Sequence, residues 1–163
     1  NYIAFIDADD VWKKDKLLKQ INFMKKRRSK ISHTSYEIID NKGLITGQRK
    51  AHLMNFKNIM KSCDVGLSSV ILKKNIFNKN IKFPNPKTKE DFVLWLKITK
   101  KGINIDPLDI NLMQWRNTEN SLSSSIMRKL LDGYVVYRKF LNFSRLKSFF
   151  YLAILSLNYF KKI

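Results

Sequence analysis

The 163-residue sequence is poor in cysteine, in acidic side chains and in long apolar runs. Its single cysteine, Cys63, excludes an internal disulfide framework and fits a reducing compartment. Lying beside an apolar stretch, it reads as a small packed side chain rather than a nucleophile. Only 13 Asp and Glu stand against 32 Lys and Arg, a net charge of +19. A surface of that sign attracts polyanions, either nucleic acid or the anionic face of a membrane. Zinc-finger spacing and an aromatic RNA-binding signature are both missing, so no specific nucleic-acid partner is expected. A lysine-rich solvated surface accounts for much of the excess. No apolar run approaches the roughly 20 residues needed to span a bilayer. Signal peptide, internal repeat and low-complexity linker are not visible either. The chain opens on Asn1 without an initiator methionine, one residue before an apolar run, and an N-terminal part is expected to precede it.

What the sequence does have is material for one packed domain: 44% hydrophobic and 12% aromatic residues. The stretch NYIAFIDADDVW organises the rest. Tyr2 to Ile6 reads as a buried strand, and Asp7, Asp9 and Asp10 follow at once. Carboxylates at the C-terminal end of a strand lie where α/β sheets place ligands. Clustered acids repel each other unless a cation sits among them, and hard divalent cations take carboxylate oxygens. Asp7 and Asp9, two apart, can converge on one ion. Two enzyme classes use such a pattern. D-x-D after a strand is the metal and nucleotide-sugar site of GT-A glycosyltransferases. D-x-D-x-[TV] is the phosphoryl-accepting motif of haloacid-dehalogenase-like phosphatases, with Asp7 as nucleophile, and Asp7 to Val11 fits that as well. An acidic turn capping the next helix is the plain alternative.

Further along, the pattern predicts a helix over Lys13 to Arg28, with Leu17, Leu18, Ile21 and Met24 on its inward face. Strands are expected at Ile31 to Ile39 and Leu44 to Gln48, around a turn at Asp40 to Gly43. His33, in the first of these, reads as a packed or hydrogen-bonded side chain. Asn55 is placed to cap a helix over Phe56 to Ser62. Leu67 to Leu72 reads as another strand, and Ile76 to Pro86 as an irregular loop. Thr88 is placed to cap a helix carrying Glu90 and Asp91 in its first turn and Phe92, Trp95, Leu96 and Ile98 on its apolar face, with Gly102 ending it. First-turn acids stabilise a helix by about 0.3–1 kcal/mol each. The same position keeps a carboxylate ionised for use as a general base. Strands at Ile103 to Ile105 and Asp109 to Trp115 flank Pro107. A polar loop, Asn117 to Ser125, precedes a helix over Ile126 to Phe143. The tail, Arg145 to Lys162, fits either an interfacial helix on anionic lipid or a helix packed on the body of the domain.

Four landmarks in this order resemble the bacterial family 2 glycosyltransferases. They are YIAFIDADDVWKKDKLLKQINFM, CDVGLSSVILKKNIF, KEDFVLWLKITKKG and WRNTENSLSSS. The first and third at this spacing favour the transferase over the phosphatase, whose later Lys and Asp motifs have no counterpart. The resemblance implies an α/β fold: a partial GT-A (Rossmann-like) mixed sheet flanked by helices, with C-terminal helices. It implies that residues 1–125 are the C-terminal part of the catalytic domain and 126–163 a helical, membrane-associated extension. The family's nucleotide-binding half would precede Asn1. The implied chemistry is inverting transfer from a nucleotide-sugar to a saccharide or lipid-linked acceptor in surface polysaccharide or lipopolysaccharide synthesis, peripheral to the cytoplasmic face of the membrane. Asp9, with Asp7, would bind a divalent metal, manganese or magnesium, and the donor. Asp91 would be the base, supported by Glu90, and Arg116 would lie near the diphosphate or the closing loop. Two positions depart from the family pattern: Trp115 stands for the usual Tyr, and Thr118 for a histidine, leaving that histidine's role unfilled. The other readings are the phosphatase and a non-catalytic basic module binding membrane or nucleic acid.

Overall fold

A computed structural model describes residues 1–78, 81–84, 89–118 and 126–160. The described elements are strands β1 (Tyr2–Ala4), β2 (Val11–Trp12), β3 (Ile31–Ile39), β4 (Ile45–Arg49), β5 (Ile71–Lys73) and β6 (Asp106–Arg116) and helices α1 (Lys16–Arg27), α2 (Phe56–Lys61), α3 (Glu90–Lys100), α4 (Ile126–Val135) and α5 (Arg145–Phe160). α4 runs on into a π-helical turn, Val136–Phe140. The strands form one mixed sheet in the order β1-β5-β3-β6-β2, with β4 also paired to β3.

β3 is the centre. It runs parallel to β6 along one edge and antiparallel to β5 and then β4 along the other. Because β1 is antiparallel to β5, and β5 to β3, the C-terminal ends of β1, β3 and β6 reach the same rim of the sheet. β1 stops at Ala4 rather than running buried to Ile6. Its three residues are half-buried and Ile6 is 52% exposed, because the chain turns out to the rim, where Asp7, Asp9 and Asp10 follow. The end of β6 is Trp115 and Arg116. The rim rule for α/β sheets therefore places the acids where a ligand would sit.

β3 occupies the expected span, and Asn55 caps α2 through a 2.9 Å bond from the Asn58 N–H. His33 is buried, with Nε2 2.9 Å from the His52 carbonyl, and burial pushes its pKa down to about 4, so it is neutral. Leu67 to Leu72 is not one strand. Leu67–Ser69 forms a 3-10 turn, closed by the Ser69 N–H and hydroxyl on the Gly66 carbonyl, and only Ile71–Lys73 pairs. Serine hydroxyls compete with sheet hydrogen bonds in this way. Conversely, Pro107 does not divide its region. It lies within β6 opposite His33, near the strand's start, where a missing N–H is tolerated, and the register slips beyond Thr34.

α3 buries Phe92 through Leu96, Ile98 and Thr99 against the sheet. Its N-cap position is Lys89, in a left-handed conformation; Thr88 lies outside the described residues, as does most of the expected 117–125 loop. α1 is rotated from expectation: Met24 is buried and Ile21 half-buried as expected, but the two leucines are not. Its buried stripe is Lys16, Gln20 and Met24, whereas Leu17 and Leu18 are 43% and 66% exposed. The surface beneath α1 is polar: Gln20 Nε2 donates to the carbonyls of Ser32 and Ser69 and to the Ser32 hydroxyl, at 2.9–3.1 Å. Lys16 Nζ donates to Gln20 Oε1 at 2.8 Å and lies 4.5 Å from the centre of the Trp12 ring. α5 packs on the body through Tyr151, Leu152 and Leu155, and Asn158 donates to the Lys61 carbonyl at 3.0 Å. No described helix is long and apolar enough to cross a membrane.

Candidate active site

The sheet rim and the start of α3 enclose a cavity of about 190 Å³. Asp7 and Asp10 line one side and Asp91 another. Cys63, Val65, Gly66 and Leu67 form the wall that follows α2, and Tyr36, Met113 and Trp115 come from β3 and β6. Asp7 and Asp91, 84 positions apart in the chain (91 − 7), thus share one cavity.

The carboxylates feel each other. Asp7 is raised above the ordinary carboxylate range, first by burial and then by Asp10, Asp9 and Glu90. Asp10 is raised by burial too, while a hydrogen bond from Ser68 and the Arg116 N–H, 3.0 Å from its Oδ1, pull the other way. Asp91 is pushed up to about 6, mainly by burial; the Phe92 N–H, 2.6 Å from its Oδ1, opposes this. A carboxylate tuned to that value is ionised at neutral pH yet basic enough to accept a proton.

The loop bearing the acids is held from two sides. The Asp7 N–H donates to the Ser68 hydroxyl at 2.9 Å, and Trp12 Nε1 donates to the Ser68 carbonyl at 2.8 Å. Ser68 therefore anchors the backbone of Asp7 and the side chain of Asp10 together. From the other side, the Arg116 guanidinium donates to the carbonyls of Asp9 and Asp40 at 3.1 and 3.0 Å. Arg116 thus carries its charge beside the acidic loop and spans to the turn after β3. Cys63 is exposed at the cavity wall rather than packed inside as its apolar neighbours suggested.

Among the described residues, no group of three or more His, Cys, Asp or Glu side chains is gathered as a metal site. The donor set nonetheless suits a hard divalent cation, which is commonly held by one or two carboxylates together with substrate phosphates. The repulsion that adds to burial in raising Asp7 is what such a cation would offset.

Ser68, Tyr36 and Asp10 were not singled out as site residues from the sequence. Ser68 lies within the CDVGLSSVILKKNIF landmark, where it reads as part of a strand, and its partner Asp7 lies 61 positions away. Asp10 had a signal, since it completes the acidic run. Tyr36 sits in a β-branched and aromatic strand that reads equally well as core.

A mixed sheet flanked by helices, with paired aspartates at the strand rim, defines the GT-A class of nucleotide-sugar enzymes. The chain superimposes on the crystal structure of TarS 1-349 of S. aureus in complex with UDP-GlcNAc with a TM-score of 0.63, covering 93% of this chain and 46% of that one. At 19% identity that likeness shows the fold alone. Residues 1–81 match Glycosyl transferase family 2. TuaG of Bacillus subtilis (strain 168), named for teichuronic acid biosynthesis, is 31% identical over 85% of this chain and 55% of its own length. WfgD of Escherichia coli, named as a UDP-Glc:α-D-GlcNAc-diphosphoundecaprenol β-1,3-glucosyltransferase, is 31% identical over 79% of this chain and 51% of its own length. The chain belongs to the family 2 glycosyltransferases and holds part of a GT-A fold. It spans about half the length of these curated relatives. The matches lend no support to the phosphatase or to the non-catalytic basic module.

Proposed function

We propose that this chain supplies the catalytic and acceptor side of an inverting glycosyltransferase that moves a sugar from a nucleotide-sugar to a saccharide or lipid-linked acceptor in surface polysaccharide or lipopolysaccharide synthesis. The observation that carries the reading is Asp91, raised to about 6 and lining the same cavity as Asp7. Asp91 accepts the proton of the acceptor hydroxyl. The freed oxygen bonds to the anomeric carbon as the bond from that carbon to the diphosphate oxygen breaks. The nucleoside diphosphate leaves with the electron pair, and attack from the opposite face inverts the anomeric configuration. Glu90, beside Asp91, raises Asp7 and reinforces the negative field that favours the cation. Asp7 and Asp9 would hold manganese or magnesium, whose charge offsets the one developing on the leaving diphosphate. Arg116 and Ser68 keep the Asp7–Asp10 loop in place for the donor, with Arg116 near the diphosphate.

Residues 1–125 are assigned to the catalytic unit and 126–163 to the helical extension. The names of the relatives make UDP-sugars the first donors to try and an undecaprenol-linked saccharide the first acceptor. Such an acceptor places the enzyme peripherally on the cytoplasmic face of the membrane.

Transfer of labelled glucose from UDP-glucose tests the reading. Asp91→Asn should lower turnover by about 10²–10⁴-fold, the range for a lost general base, and leave UDP binding unchanged. Turnover should rise with pH through about 6, because the base works only when ionised. Undiminished turnover in Asp91→Asn would reject the assignment.

A further inference from the structure

We propose that the outward face of the α4–α5 hairpin is a docking surface for an anionic lipid bilayer. The proposal goes beyond the catalytic reading and rests on it only in making the acceptor lipid-linked.

α5 has two unlike faces. Tyr151, Leu152 and Leu155 pack on the core, while Leu146, Phe149, Phe150 and Leu157 are 84%, 59%, 62% and 62% exposed. Those four fall at i, i+3, i+4 and i+11, a single stripe along the helix. Phe149 meets Tyr134 of α4 with ring centres 4.8 Å apart. Met127 and Leu131, seven and three positions before Tyr134, lie on that same face of α4 and are 68% and 60% exposed. The Tyr134–Phe149 contact makes the two stripes neighbours on one side of the hairpin.

Charge selects the occupant. The segment Arg145–Phe160 contains no acidic residue, and Arg145 and Lys147 stand at its start. Lys147 Nζ lies 4.2 Å from the centre of the Phe143 ring, which holds that charge next to the apolar stripe. An apolar stripe beside a cationic end is the pattern of a helix lying in the headgroup region of anionic lipid. A second copy is disfavoured, because bringing two chains of +19 together at the same basic ends costs Coulomb energy.

The surface is braced to the cavity. Asn158 of α5 donates to the Lys61 carbonyl, and the Tyr137 hydroxyl to the Met60 carbonyl at 2.7 Å. Both bonds fall on the last turn of α2, and the chain leaving it forms the Cys63–Leu67 wall of the cavity. Docking through this hairpin would hold that wall beside the lipid that carries the acceptor.

The test is co-sedimentation of the 163-residue chain with vesicles of phosphatidylcholine alone and of phosphatidylcholine mixed with phosphatidylglycerol. Binding is expected only to the mixed vesicles. Leu146→Gln with Phe150→Gln should weaken it by about tenfold or more, with the melting temperature unchanged. Leu146→Gln alone, at the most exposed position, and Arg145→Glu should each weaken it by a smaller factor. Three results would overturn the proposal: no binding to mixed vesicles, undiminished binding by the double variant, or a dimer that the double variant dissolves. The vesicles carry no donor or acceptor, so loss of transfer with vesicle binding intact would count against the catalytic reading alone.

Discussion

Helices α1 and α3 flank the same sheet and bury opposite kinds of side chain. α3 presses Phe92, Leu94, Trp95 and Leu96 into the core, and Trp95 Nε1 donates to the Val65 carbonyl at 3.2 Å. α1 buries Lys16 and Gln20 and leaves Leu17 and Leu18 to solvent. The difference lies in what each helix covers. α3 covers side chains of the sheet. α1 covers the start of β3 and the 3-10 turn, where the Ser32 and Ser69 carbonyls need donors. A buried carbonyl without a partner costs more than an exposed leucine, so the polar side turns inward.

Three substitutions break or sharpen that contrast. Trp95→Ala should cost about 3–5 kcal/mol, read from denaturant unfolding, because it empties the largest fully buried side chain and removes the tether to the cavity wall. Lys16→Met should have a smaller, pH-dependent effect. Burial lowers Lys16 to about 8 from its ordinary 10.5, so the unfolded chain binds its proton more tightly. Stability from this group is therefore absent below about pH 8 and gained as pH rises from there to 10.5. In Lys16→Met, that rise in melting temperature should vanish. Leu18→Gln should stay within about 0.5 kcal/mol, since the side chain is mostly in water. A large loss there would mean that α1 packs by its leucines after all.

Much of the fold was legible because its signals are local. Ile31 to Ile39, the Asn55 cap and the EDFVLWLKITK helix each carry propensity and pattern within a dozen residues. The inward face of α1 was not legible, because periodicity assumes that an apolar face meets an apolar surface. The LSSVIL stretch misled for a related reason: β-branched residues predict a strand, but the serines close a turn and anchor the acidic loop. Motif order singles out Asp7, Asp91 and Arg116, and the fold brings Asp7 and Asp91 to one cavity and Arg116 against the acidic loop. Ser68, which ties Asp7 to Asp10, was not, because its role exists only once segments 61 positions apart meet. The tail was read two ways, and the packed one holds for one face of α5.

The proposed chemistry divides the labour: Asp7 and Asp9 would serve the donor and its cation, and Asp91 the acceptor. Calorimetry of UDP with manganese on the full-length protein, as wild type, Asp9→Asn and Asp91→Asn, measures it. The account predicts millimolar-range or tighter binding by the wild type, a loss of about tenfold or more in Asp9→Asn, and no loss in Asp91→Asn. No binding by the folded wild type, or equal binding by all three chains, would contradict it.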